Sequence, residues 1–134
     1  MRSHGLVLLA WAMLAAPAVA ADSTPPERTV TAFTTDIDHE VRIAAYVQFR
    51  SRNCVPDGAP SIEIVTKPNH GSVSLRPGPI LVKESRSGDC VGYTFPGVNI
   101  WYTPAAGFSG ADRFDYDVFF TKDTRHNTAT IDVK

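Results

Sequence analysis

Hydrophobic and polar residues alternate with a period of two along several stretches of the chain. Between residues 40 and 50 one side carries Val41, Ile43, Ala45, Val47 and Phe49, and the other carries Arg42, Tyr46, Gln48 and Arg50. Between residues 114 and 120 the shared face carries Phe114, Tyr116, Val118 and Phe120. A period of two with one apolar face predicts half-buried β-strands in both stretches.

Shorter apolar runs predict further strands at residues 62–65, 73–75, 80–82, 98–102 and 129–133. Glycine, proline and polar turn residues separate these runs, and no window of about a dozen residues has a helical period. Seven or eight short strands over about 105 residues are typical of an antiparallel β-sandwich. The sequence therefore predicts an all-β sandwich, with an up-and-down barrel as the alternative.

The N-terminal segment has the pattern of a secretory signal. Arg2 precedes an apolar run at residues 6–14, and Ala18 and Ala20 give the small-x-small pattern of a cleavage site. A membrane anchor is the alternative, but a spanning helix needs about 20 apolar residues. We predict a signal peptide at residues 1–20, a flexible leader at 21–27 and one domain at 28–134, periplasmic or secreted and without membrane insertion of the mature chain.

The 134-residue chain holds two cysteines, Cys54 and Cys90, and both follow the predicted cleavage site. An even number of cysteines in an exported chain predicts one disulfide. A thiol pair for redox or metal chemistry is the alternative, but such pairs have a short spacing or nearby histidines.

The charge of the chain is close to balanced, with 13 basic and 14 acidic residues. Nucleic-acid binding would require a strongly basic face, and the balance gives no sign of one. The expected partner is therefore a protein or a glycan, and the domain is expected to be a monomer.

Two motifs carry a resemblance to a known family. The first is P-x-x-G-x-V at residues 68–73, and the second is Y-T-P-x-x-G-F-x-G-x-D-x-F-x-Y at residues 102–116. Together they resemble the bacterial Ig-like and cadherin-like repeat domains, over about 70 residues. The resemblance implies an Ig-like antiparallel β-sandwich, in which the motif residues have folding roles: Pro68, Gly71, Tyr102, Pro104, Gly107, Phe108, Gly110, Asp112, Phe114 and Tyr116.

The resemblance implies specific roles for several of these residues. Gly107 and Gly110 allow backbone angles that other residues avoid. Phe108 covers the end of the sandwich, and Asp112 accepts hydrogen bonds from amide groups in the turn. Tyr116 takes the position of the corner tyrosine, whose hydroxyl bonds to the backbone upstream.

Metal binding and catalysis find little support in the sequence. Calcium could use carboxylates at Asp36, Asp38, Asp112, Asp115 and Asp117, but Asp115 and Asp117 are predicted to be solvated on the outer face of a strand. Zinc or copper could use His39, His70 and His126, which lack paired spacing. Because no catalytic signature occurs either, we expect no metal, no cofactor and no enzymatic activity.

Three aromatic residues are the candidate binding residues. Tyr46, Trp101 and Phe119 each lie on the side of a predicted strand opposite its apolar face. Exposed aromatic side chains near arginines suit contact with a protein or a glycan. The alternative is that these residues form a minor core under the disulfide loop.

These observations predict an exported, non-catalytic Ig-like binding module that contacts a cell-envelope or extracellular macromolecule. Two other functions remain open. A hydrolase inhibitor would use a rigid loop, at Pro77–Pro79 or Thr121–His126. A structural accessory of an envelope assembly would use its sheet edges.

Overall fold

A computed structural model describes residues 18, 20, 21 and 23–134 of the chain, and this part folds into β-strands without helices. The predicted signal peptide lies outside the described residues apart from Ala18 and Ala20. In the described part, no helix has the length and apolarity needed to cross a membrane. The strands are β1 (Thr29–Thr35), β2 (Val41–Val47), β3 (Phe49–Arg50), β4 (Val55–Pro56), β5 (Ser61–Thr66), β6 (Gly71–Leu81), β7 (Thr94–Pro104), β8 (Gly110–Phe119) and β9 (Thr124–Val133).

The strands form two main sheets. One sheet has the order β1-β9-β8-β5 and the other has the order β2-β7-β6, while β3 and β4 form a separate two-residue ladder. The prediction of antiparallel pairing is wrong at β1, which runs parallel to β9. Parallel neighbours need a long connection, and the seven intervening strands supply it.

The main core lies between the two sheets. The three-stranded sheet contributes Ile43, Ile100 and Tyr102, and the four-stranded sheet contributes Phe114, Tyr116, Val118, Ala129, Ile131 and Val133. Alternate residues of β7 and β8 therefore point inward, as the period of two in the sequence requires. The result is a β-sandwich-like all-β fold.

Strand β6 differs from the prediction of two short strands at 73–75 and 80–82. It is one continuous strand, and all eleven residues pair with β7, including Pro77 and Pro79. Because β6 is an edge strand, half of its N–H groups need no ladder partner, so proline is tolerated there. The predicted rigid loop at Pro77–Pro79 is therefore wrong. Nine strands form where seven or eight were expected, because β1 and β4 were not predicted and the strand predicted at residues 40–50 is divided into β2 and β3.

Strand β2 also departs from the predicted alternation. Its pairing with β7 shifts between Arg42 and Ala44, where a β-bulge places one extra residue. A shift of one residue exchanges the two faces of a strand. Beyond the bulge Tyr46 consequently packs against the main core, so its predicted outward orientation is wrong.

The predicted disulfide between Cys54 and Cys90 is confirmed, with the two Cα atoms 5.4 Å apart. Cys54 lies in the turn between β3 and β4, and Cys90 lies in the connection from β6 to β7. A second, smaller cluster surrounds the bond: Val82, Cys90 and Phe95 are buried, and Val47, Phe49 and Cys54 pack on them. A minor core therefore does exist beneath the disulfide loop.

Candidate functional site

A groove lies at the disulfide end of the sandwich. We call it the loop groove and define it by the lining residues 45–53, 57, 84–87, 120–123 and 125. These residues come from the β2–β4 region, the connection from β6 to β7, and the β8–β9 turn with the start of β9. The groove is open on one side and has a volume of about 960 Å³.

The segments of the groove are fastened to one another. The Cys54–Cys90 bond joins the β3–β4 turn to the β6–β7 connection. The side-chain oxygen of Gln48 accepts hydrogen bonds from the Thr121 backbone N–H at 2.9 Å and from the Thr121 hydroxyl at 3.2 Å. Loops held in this way lose little conformational entropy when a ligand binds, so the groove is preorganised.

The groove is cationic although the whole chain is not. Its lining contains five cationic side chains, Arg50, Arg52, Arg86, Lys122 and Arg125, and three acidic ones, Asp57, Glu84 and Asp123. Two of the cations are in ion pairs within the groove, with Arg50 3.3 Å from Asp57 and Arg125 3.5 Å from Asp123. In the described part of the chain, no carboxylate lies within ion-pair distance of the other three, Arg52, Arg86 and Lys122.

Aromatic rings form part of the groove wall, and two of them each have one face in contact with another protein group. Phe49 stacks on Phe95 with ring centroids 4.8 Å apart. The guanidinium of Arg125 lies 4.6 Å from the centroid of the Phe120 ring. Ligand contact with these two rings is therefore confined to the surface that Phe95 and Arg125 leave free.

The structure does not bring the three predicted aromatic residues together. The Tyr46 hydroxyl lies 3.0 Å from the Tyr116 hydroxyl, and Tyr46 also contributes to the lining of the loop groove. Trp101 is half-buried on the three-stranded sheet, with the Arg76 guanidinium 5.0 Å from its ring centroid. Phe119, which is 38% exposed, lies at the end of β8 in the other sheet. The minor core under the disulfide is built from Phe49 and Phe95 instead.

At the other end of the sandwich, Asp112 is the centre of a hydrogen-bond network that we call the polar anchor. Asp112 is only 7% exposed. It accepts hydrogen bonds from the backbone N–H groups of Asn69 at 3.0 Å and His70 at 2.9 Å, and from the Tyr102 hydroxyl at 2.8 Å. The N–H of Arg113 also donates to it, at 2.9 Å. The anchor thus joins the two sequence motifs across the end of the fold.

The hydroxyl of Tyr116 does not have the predicted contact with the backbone. Its partner is Tyr46, while the Tyr102 hydroxyl is the one near a backbone oxygen, that of His70 at 3.4 Å. The corner-tyrosine assignment of Tyr116 is therefore wrong, because Tyr46 turns inward to meet it. Burial raises the pKa of both Tyr102 and Tyr116 well above the usual range, and for Tyr102 the hydrogen bond to Asp112 adds to the effect.

The turn beside the polar anchor is held by the other motif residues. Gly107 and Gly110 have φ angles of 71° and 127°, which favour glycine. The ring of Phe108 stacks on His70 with centroids 4.4 Å apart. Pro104 is buried at the end of β7, and Pro68 lies in the turn that presents its neighbours to Asp112.

The predicted solvation of Asp115 and Asp117 is wrong, since their side chains are 17% and 14% exposed. Asp117 lies 2.9 Å from Arg28 and 3.0 Å from Nδ1 of His126, although the latter contact lacks hydrogen-bond alignment. Burial raises the pKa of Asp115, and hydrogen bonds from Thr128 and Arg113 outweigh that effect, so its pKa is below the ordinary value.

The other candidate metal ligands are dispersed. Asp38 accepts a hydrogen bond from the Gly107 N–H at 2.7 Å, and His39 contacts the carbonyl of Ile37 at 2.9 Å. Across the residues that the structure describes, no three histidine, cysteine, aspartate or glutamate side chains group together as metal ligands would.

Comparison of the chain with known protein families, curated proteins and solved structures gives no match. Function must therefore be inferred from the site itself. Sequence patterns do not reveal the loop groove, because its cations come from three distant segments and only the predicted disulfide links two of them. Arginine and aromatic side chains, which contribute to its lining, are the types enriched at protein interfaces.

Proposed function

We propose that the protein is an exported, non-catalytic Ig-like module that binds a protein or glycan of the cell envelope or extracellular space through the loop groove. The observation that carries this proposal is a cationic groove formed by three segments that the Cys54–Cys90 bond and Gln48 fasten together. Such a rigid, charged concavity at the end of a sandwich suits recognition of a partner.

The strand connectivity supports an Ig-like assignment. In Ig domains one sheet contains strands B, E and D and the other contains C, F and G. The orders β2-β7-β6 and β5-β8-β9 correspond to these two sets. The parallel β1 then extends the second sheet, and the two motifs meet at Asp112, at the end opposite the loop groove.

Export is supported by the N-terminal signal pattern and by the disulfide, because disulfides persist mainly in oxidising compartments. The proposed location is the periplasm or the exterior, and the proposed state is a monomer. The binding role does not require catalysis, since an arginine-rich groove with partly covered aromatic rings offers charge and shape to a partner.

Site-specific photo-crosslinking tests the proposal. A photoreactive residue replaces Lys122 in the loop groove or, as the matched control, Ala106 in the exposed turn at the other end. Each protein is exported by the native host and irradiated. We expect a discrete adduct from position 122 and none from position 106, because only the groove engages the partner.

Two results would contradict the proposal. The first is the same adducts from both positions, which would remove the groove as the binding site. The second is turnover of ester, peptide or glycan substrates that a substitution in the groove abolishes, which would make the protein an enzyme.

A further inference from the structure

We propose that the loop groove recognises an acidic polypeptide segment in which carboxylates alternate with apolar side chains. This inference rests on the proposed function, because it names the partner class of the same groove. It combines two observations: three exposed cations without ion-pair partners in the described structure, and two aromatic rings that each have one face in contact with another protein group.

The charge of the groove selects an anion. Arg52, Arg86 and Lys122 are exposed and lie on three different segments of the lining. A ligand with one carboxylate satisfies one of them, whereas a ligand with several carboxylates along its length satisfies all three. The arginine guanidinium can hold a carboxylate through two parallel hydrogen bonds, which adds directional preference to the attraction.

The aromatic residues favour a polypeptide over an acidic glycan. Aromatic contacts to a ligand depend on an accessible ring face or edge. One face of Phe120 is taken by Arg125, and Phe49 is stacked on Phe95. The remaining apolar ring edges suit aliphatic or aromatic side chains, which a peptide has and an acidic polysaccharide lacks.

The size of the groove favours a short segment. Its volume of about 960 Å³ is that of a site for a small ligand or a few side chains. Because the groove is open at the surface, an extended chain can enter and leave at its ends. The partner therefore contributes a loop or a terminus to this contact.

The test uses three probes with the purified exported protein. The first is a fluorescent peptide of alternating glutamate and phenylalanine, the second is its glutamine–phenylalanine counterpart, and the third is polygalacturonate, an acidic glycan. Fluorescence anisotropy measures peptide affinity, and competition measures the glycan. We expect the acidic peptide to bind about tenfold or more tightly than the neutral one, and the affinity to fall as salt is raised.

Charge-reversed variants locate the binding. The groove variant carries Arg52→Glu, Arg86→Glu and Lys122→Glu, and the matched control carries Arg42→Glu, Lys67→Glu and Lys134→Glu, which lie outside the groove. Both variants change the net charge equally, so a difference between them reports the location and not the total charge. We expect the groove variant to lose about tenfold or more in affinity for the acidic peptide and the control to change little. Thermal unfolding of each variant verifies that it is folded.

Three outcomes would overturn the inference. Equal affinity for the acidic and neutral peptides would show that charge does not select the ligand. Tighter binding of polygalacturonate through the same three cations would assign the groove to a glycan and leave the proposed function intact. No binding of any probe, with groove-specific crosslinking still observed, would exclude acidic chains as the ligand while the groove remains the binding site; if the crosslinking were also lost, the proposed function would fail too.

Discussion

The two ends of the sandwich fix their loops by different means. At one end the Asp112 carboxylate receives N–H and hydroxyl groups in a buried network. At the other end the Cys54–Cys90 bond and a small separate cluster hold the loops. The polar anchor shares Tyr102 with the main core, whereas no residue of the main buried core belongs to the disulfide cluster.

This difference indicates that the polar anchor serves the stability of the fold, whereas the disulfide end serves the proposed binding. A network that shares a residue with the core forms only when the two sheets are packed, so its loss weakens the whole fold. A covalent bond between loops outside the sheets holds their geometry without depending on the core. The loop groove can therefore present charged side chains at little cost to the stability of the sandwich. Substitutions made at one end only should show whether each end affects folding or binding.

The largest effect is expected for Asp112→Ala at the polar anchor. The substitution leaves the N–H groups of Asn69 and His70 and the buried Tyr102 hydroxyl without their acceptor. Hydrogen bonds to a charged group contribute about 1.5–3 kcal/mol each, so we expect the unfolding free energy to fall by about 4 to 5 kcal/mol in urea titrations. Asp112→Asn keeps one acceptor oxygen and should lose about half as much. A loss below about 1 kcal/mol for the alanine variant would refute the role of the anchor.

The sequence predicted the elements with regular patterns and missed those that depend on pairing. The inward residues of β7 and β8 follow from their period of two, and the disulfide follows from two cysteines in a chain with a signal pattern. Export itself remains a prediction. The continuous β6 was missed because Pro77 and Pro79 resemble a break until their position on a sheet edge is known.

The orientation of Tyr46 was missed for a related reason. The alternation in β2 is regular in the sequence, and nothing in it marks the bulge after Arg42. The groove was missed because Arg52, Arg86 and Lys122 are far apart along the chain and meet only in the folded protein. Local patterns therefore predicted strands, while contacts between distant segments, apart from the disulfide, could not be predicted.

The second largest effect is expected on removal of the disulfide. A loop closed over a separation of 36 residues is expected to stabilise the fold by about 4 kcal/mol, in a chain-entropy account that is model-dependent. The double variant Cys54→Ser, Cys90→Ser should lose that amount in urea titrations and should also bind the acidic peptide more weakly, since its groove is no longer held together. Reduction of the unmodified protein is the matched control. Unchanged peptide affinity in both would separate the groove from the disulfide.

The pH dependence of stability sharpens the same comparison. The pKa values of Tyr102 and Tyr116 are raised in the folded state above the ordinary value of 10. The contribution of the two neutral hydroxyls to the free energy of unfolding is therefore complete below pH 10 and is lost as the pH rises above 10. Each tyrosine contributes a slope of about 1.4 kcal/mol per pH unit. We expect Tyr102→Phe to remove about half of this slope in urea titrations above pH 10, and the double serine variant to leave the slope unchanged. A slope that does not respond to Tyr102→Phe would contradict the burial of its hydroxyl.

The smallest effect is expected for Tyr46→Phe, and it concerns the residue shared by the main core and the groove. Loss of the hydroxyl leaves Tyr116 without its partner, which should cost about 1 kcal/mol of unfolding free energy. Affinity for the acidic peptide should not change, because the ring that lines the groove is retained. Phe119→Leu, at an exposed position on β8, is the control and should alter neither quantity. If Tyr46→Phe weakened peptide binding and left stability unchanged, the Tyr46 hydroxyl would contact the ligand. That hydroxyl would then belong to the loop groove and not to the main core.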